Sequence, residues 1–297
     1  MQLYTANSLA EYSATIANIS KLESLVWYRG HSNSMYRLEP TLYRKKVPIP
    51  KLTESEKLRD FRLTKGKFIL PNDIGALDAF KEYYSKVTDC SNYTEIDYLY
   101  IMQHYGILTR LLDFSADPYV ALYFALANHG LTIETPMSSG NEIADFLEND
   151  GWSEKGASVY CLNPMKLNMG INGNEEIIDL SKYEFNSLSN ADFPFAIKTD
   201  NSNPRILAQK GTFIYFGFWV KSLEEYFPIE KSLTKIFIPN SCKKEIYHQL
   251  RLELGITHFT IFPDTEGISK EINEKMMGLF DSQVQELFDT HPRSSNT

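Results

Sequence analysis

The chain has 297 residues, 43% of them hydrophobic and 13% aromatic, which supplies the core of one large domain and excludes disorder of the whole chain. With 30 Lys and Arg against 38 Asp and Glu the formal charge is −8, which argues against non-specific binding to duplex DNA or anionic membrane through an excess of cations. The opening MQLYTANSLAEYSATIANIS lacks the basic and apolar regions of a signal peptide, and no stretch approaches the roughly 20 apolar residues that span a bilayer, so the expectation is a cytoplasmic chain with no membrane partner. Cys90, Cys161 and Cys242 are far apart and have neither disulfide-framework nor metal-ligand spacing, so no metal is expected.

Ser8 with Glu11 forms a capping box, and Leu9, Tyr12, Ile16 and Ile19 recur at helical steps, predicting a first amphipathic helix. LVWYRG, Leu25 to Gly30, reads as a strand ending at a glycine. Thr53 and Glu56 predict a second helix, Ile74 to Val87 a third, and Thr94 with Asp97 a fourth that runs to Tyr105. TRLLDFS, Thr109 to Ser115, is short and apolar enough to be a buried strand. Asp117 then caps a helix that has Pro118 at its first position and runs through PYVALYFALANHG.

From Leu131 to Lys155 the sequence turns polar and acidic, which predicts a surface insertion. Beyond it ASVYCL, EEIIDL, RILAQKGTFIYFGFWV (broken at Gly211) and LTKIFIP read as strands. Ser241 opens a helix to Leu254, and THFTIFP leads to a last helix near Thr265. The result is an α+β expectation: a helical N-terminal part packed on a mixed, mostly antiparallel β core, one domain over 1–290, and a flexible tail at 291–297.

Polar groups cluster at the ends of the expected strands, where an irregular backbone can aim side chains into a cleft. Arg29 closes an apolar strand, where a guanidinium needs an anion. A bound ligand and a structural carboxylate satisfy that need about equally. Gln103 to Pro118 concentrates His104, Arg110, Asp113 and Ser115 beside apolar runs. Such density fits a ligand site or a buried network in which Asp113 pairs with Arg110. The helix start at Asp117 adds a place for an anion, so that Arg29 and Arg110 together would hold a phosphate. In RILAQKGTF, Gln209 can read a base or hydroxyl edge, and Arg205 adds a further cation; a plain hairpin accounts for the same segment. Arg29, His104, Arg110, Asp113, Ser115 and Gln209 are expected to converge on one cleft. No Walker A loop, G-x-G-x-x-G turn, HExxH helix or Ser/His/Asp order occurs.

WYRGHS, LEPTLYR, QHYGILTRLLDFSADPYVALYFA, RILAQKGTF and LGITHFTIFPDTEG, in this order from about Leu25 to Ile272, resemble the FRG domain family, widespread in bacteria and phage-related contexts and named for the triplet that stands here as Tyr28, Arg29 and Gly30. More distantly, strand-end Arg29 followed by Ser115 ahead of ALYFA resembles the arginine-serine-glutamate class of ADP-ribosyltransferases. That resemblance implies an ADP-ribosyltransferase-like fold with NAD as candidate substrate and Arg29 and Ser115 on it; among the polar groups described above, Gly30, Arg110 and Arg205 are expected on the ligand too, and Asp113, Gln209 and His104 at the chemistry. The class's Glu is missing from RILAQKGTF, and the neutral amide of Gln209 cannot replace its charge, so a carboxylate from elsewhere is required, with Asp113 one candidate.

Three functions follow from the resemblance. One is an NAD-binding protein or enzyme of the ADP-ribosyltransferase or NAD-glycohydrolase type, serving as an anti-phage or toxin-type effector. Another is a phosphate- or RNA-end-processing relative that relies on Arg29, His104, Arg110 and Arg205. The third is a non-catalytic sensor that binds a nucleotide or a protein partner.

Overall fold

In the computed structural model, which describes residues 1–48, 61–63, 68–127, 138–180, 191–199, 203–226 and 232–290, seven strands form one mixed sheet. In chain order they are β1 (Gln2–Thr5), β2 (Trp27–His31), β6 (Leu111–Ser115), β7 (Gly156–Leu162), β8 (Phe195–Ile197), β9 (Gly211–Tyr215) and β10 (Thr234–Pro239). Across the sheet the order is β1-β10-β7-β2-β6-β9-β8, with β1 parallel to β10 and all other neighbours antiparallel. A small second sheet joins β3 (Val47–Pro48), β5 (Phe68–Pro71) and β4 (Phe61–Leu63), in that order.

Side chains alternate across the sheet with the period of two that a pleated strand imposes. One face carries two separate apolar clusters. Tyr28, Val159, Cys161, Ile236 and Ile238 meet α1 (Leu9–Leu22), α4 (Pro118–Leu126) and α8 (Asn240–Leu254). Further along the same face, Leu111, Phe213, Tyr215 and Phe195 meet α2 (Asp73–Tyr84) and α3 (Glu95–His104). The opposite face holds one continuous cluster that includes Trp27, Tyr160, Leu112, Phe114, Ile214 and Phe216. Asp113 lies between Leu111 and Ser115 on β6, and so on the face where the two helical clusters part.

The helix starts are those the caps specify. Ser8 accepts from the Glu11 amide, and Asp117 accepts from the amides of Tyr119 and Val120 with Pro118 at the first turn. RILAQ departs from the strand expectation. Asn203 accepts from the Arg205 amide and Pro204 opens a short helix, α7 (Pro204–Ala208), so only Gly211–Tyr215 is strand. The expected helix at Thr53 and the tail at 291–297 lie outside the described residues.

Of the expected surface insertion, residues 138–155 are described; most of them are exposed or partly exposed, and one short helix anchors them to the sheet. Helix α5 (Ser139–Glu148) packs on β10. Its Phe146 is buried and stacks on Phe237 at 4.4 Å between ring centroids. Buried Glu142 accepts from the Ser241 hydroxyl at 2.5 Å. The loop that follows closes around Lys235, whose Nζ donates to the carbonyls of Ser34 at 2.7 Å and Gly151 at 2.6 Å and sits 3.8 Å from the Trp152 ring centre. Glu142 and Phe146 are spent on the interior, while Glu148, Asp150 and Glu154 stay exposed. The remaining described helices are α6 (Pro164–Asn172), α9 (His258–Ile261) and α10 (Thr265–Thr290).

Candidate functional site

Strand β2 runs Trp27, Tyr28, Arg29, Gly30, His31, and each residue has a separate task. Gly30 lets α4 descend onto the sheet. A Cβ there would stand 2.6 Å from the Ala125 nitrogen and closer still to the Ala121 carbonyl oxygen, a space only glycine leaves open. Gly30 therefore serves helix packing, where a ligand contact was expected of it.

Arg29 occupies a gap between strands. Among the described residues β2 and β6 share one register pair, Tyr28 with Ser115. Beyond it the Arg29 Nη1 donates to the Asp113 main-chain carbonyl, and its Nη1 lies 3.7 Å from the Asp113 carboxylate. Its Nε donates to His31 Nε2 at 3.0 Å. His31 Nδ1 stands 3.2 Å from the Tyr36 carbonyl, so the ring is neutral with its proton on Nδ1. Burial, reinforced by the Arg29 charge, pushes the His31 pKa well below its ordinary value. Burial also lowers the Arg29 pKa, Asp113 opposes that effect, and Arg44 adds a second cation nearby.

Asp113 is presented rather than buried. Its side chain keeps 54% of its exposure against 17% for Arg29, yet it is fixed from two sides. Gln103 Nε2 donates to Asp113 Oδ1 at 2.5 Å, and Gln103 Oε1 accepts from the Thr109 hydroxyl. A carboxylate with two tethers and an open flank can face a developing positive charge without reorganising.

Ser115 is already saturated. Its hydroxyl donates to the Gln209 carbonyl at 2.7 Å and accepts from the Asp117 amide at 2.9 Å, tying β6 to the end of α7. The Gln209 amide donates to the Ile261 carbonyl at 3.3 Å. Both residues brace the β6 end, and Lys210 joins them through Asp117 at 2.7 Å.

His104 follows Gln103 at the end of α3, and its Nδ1 accepts from Arg205 Nη1 at 3.0 Å. Burial and the Arg205 charge lower the His104 pKa. Arg205 is neutralised by Glu266 at 2.8 Å and Asp264 at 3.3 Å, and it lies 4.5 Å from the Phe262 ring centre. Lys270 and Arg205 together push Glu266 down to about 2. A cation with two carboxylates on it is a poor phosphate ligand, so Arg205, Lys270, Asp264 and Glu266 form a charge-balanced network next to His104.

Arg110 does not join the cluster. It is 2% exposed and grips Asp73 through Nε at 2.6 Å and Nη2 at 3.2 Å, with the Phe218 ring centre 4.2 Å away. Asp73, rather than Asp113, is its carboxylate partner. Its Nη1 has no protein acceptor and lines a cavity of about 10 Å³, room for a single water. The structure therefore groups Arg29 with Asp113, and Gln209 with Ser115, while His104 and Arg205 adjoin through Gln103 and Arg110 stands apart. Sequence reading missed Arg44, Asp73 and Glu266, and it counted Gln103 in the polar cluster without giving it a role. The QH pair before Tyr105 was the available signal for Gln103, whereas nothing local marks Asp73 as the partner of Arg110.

Among the described residues no cluster of His, Cys, Asp and Glu is arranged to hold a metal, and no helix is long and apolar enough to cross a membrane. No curated protein and no solved structure matches the chain. A family model does match: residues 24–131, the span from β2 through α4 that carries Arg29, Gly30, Gln103, Asp113 and Ser115, correspond to the FRG domain.

Proposed function

We propose that the seam where β2 and β6 part is a nucleotide site and that the chain acts there as an ADP-ribosyltransferase-like protein on NAD. The observation that carries this reading is Asp113, an open carboxylate held by Gln103 and Arg29, with a second cation, Arg44, near Arg29. Arg29 and Arg44 supply the charge that a pyrophosphate needs, and Asp113 supplies the negative charge that stabilises an oxocarbenium-like ribose as nicotinamide leaves. Because Ser115, Gln209 and Arg205 are engaged within the protein, catalysis rests on Asp113, with His104 and Gln103 as positioning groups.

The carboxylate pairing of Arg205 and Arg110 supports a second reading, in which the site binds a nucleotide without turnover. Both readings meet the same experiment: calorimetric titration with NAD, ATP and GTP, together with nicotinamide release from wild type, Asp113→Asn and Arg29→Ala. Loss of release with retained binding in Asp113→Asn supports catalysis. Binding without release in the wild type supports the sensor. Absence of NAD binding by the wild type overturns the first reading, and absence of binding to NAD, ATP and GTP alike overturns both.

A further inference from the structure

Helix α10 is docked with its polar side inward. Arg251 of α8 binds Glu271 at 2.8 Å and Glu274 at 2.9 Å, His258 lies 3.1 Å from Glu274, and Arg205 reaches Glu266 in the first turn. On an ideal helix these acidic residues share one flank, and the apolar residues take the other. Ile268, Ile272, Met276, Leu279, Phe280 and Leu287 are between 44% and 68% exposed. A contiguous apolar stripe of this length is unusual on a free surface and marks an interface.

We propose that this stripe is the dimer interface of the chain, formed by α10 of two copies packed antiparallel across a two-fold axis near Phe280. At about half exposure, side chains of this size offer roughly 700 Å² per copy, close to the roughly 800 Å² a side of a standard interface. Charge sets the direction. Beyond Met276 the helix carries Asp281, Glu286 and Asp289 and no Lys or Arg, while Lys270 and Lys275 precede it. A parallel pair would stack the three acids of one copy on those of the other. The antiparallel pair centred near Phe280 sets Lys275 of each copy beside Glu286 of the other, an isologous arrangement that closes at two. Because Glu266 begins the same helix, dimerisation also braces the charged network next to His104.

Sedimentation velocity and light scattering on the full chain test this. A species of twice the 34.2 kDa chain mass is expected at micromolar concentration. Phe280→Glu is expected to yield a monomer with an unchanged circular dichroism spectrum, because the side chain it replaces is 57% exposed. Lys275→Glu should weaken the dimer by roughly tenfold, and Lys275→Glu with Glu286→Lys should restore it. The 3.6 Å intrachain pair of Lys275 with Glu271 is not rebuilt by that double change, so rescue reports the intermolecular contact. A wild type that stays monomeric overturns the proposal and leaves the stripe to another protein. A dimer that survives Phe280→Glu, or a double variant without rescue, overturns this interface.

Discussion

Gly30 and Ala121 are packed backbone to backbone: the α-carbon of one faces the carbonyl of the other with no room for a methyl group between them. The glycine of the Tyr-Arg-Gly triplet is thus the point at which α4 rests on the central strand.

Gly30→Ala should therefore destabilise the chain by about 3 kcal/mol, the upper end of the range for overpacking, since the obstacle is backbone and cannot rotate away. Urea unfolding followed by circular dichroism measures this. A change below about 1 kcal/mol would mean that α4 can lift from the sheet at little cost.

The two arginine–carboxylate pairs should respond oppositely to loss of the carboxylate. Asp73→Asn leaves the buried Arg110 charge without a counter-ion and should cost about 3 to 5 kcal/mol. Asp113→Asn, at an exposed position, should stay within about 0.5 kcal/mol of wild type. Thermal melts of the two variants in parallel make the comparison, and equal losses would contradict the burial difference between them.

Lys235 gives stability a dependence on alkaline pH. Burial pushes its pKa down to about 7 from the ordinary 10.5, against the opposing effect of Glu224. Between those values the unfolded chain binds a proton that the folded chain does not, so stability rises with pH across that window, and the cost of holding the charge is felt in full below it. His31 acts in the same direction at the acid end, with stability lost as pH falls below 6.5. Lys235→Met should flatten the alkaline rise, read as the difference between urea midpoints at about pH 7 and about pH 10.

Phe146 tests whether 138–155 belongs to the core. Phe146→Ala should cost about 3 to 5 kcal/mol, as for a fully buried aromatic. A near-neutral result by chemical unfolding would show that α5 is peripheral after all.

Features decided within a few residues of sequence were legible, and those decided across the chain were not. The Ser8 and Asp117 caps, the strand at Leu111–Ser115 and the α+β class all follow from local spacing. At RILAQ the apolar content favoured a strand, but the Asn203 cap and Pro204 decided for a helix. The burial of Phe146 depends on Phe237 and that of Glu142 on Ser241, both far downstream, so two side chains of a stretch that is otherwise at the surface are interior. At the candidate site Arg29 and Asp113 were expected at strand ends, but each is the middle residue of its strand, and they meet because β2 and β6 part beside them. The allocation of Asp73 to Arg110, and of Glu266 to Arg205, depends on how separate helices pack over the sheet.

The pairing of β1 with β10 sets Gln2 beside Thr234 and Thr5 beside Phe237. In a chain made from its N-terminus, β1 therefore waits for nearly the whole sequence before it has a strand to join. The span from β2 to β6 waits too, because its flanking partners β7 and β9 are both synthesised later. A ribosome-bound intermediate that ends after α4 carries two central strands with open edges, which makes it a substrate for chaperones and prone to pairing with its neighbours on a polysome. Folding of this protein should accordingly be slow and late, with the sheet closing only after β10 has emerged.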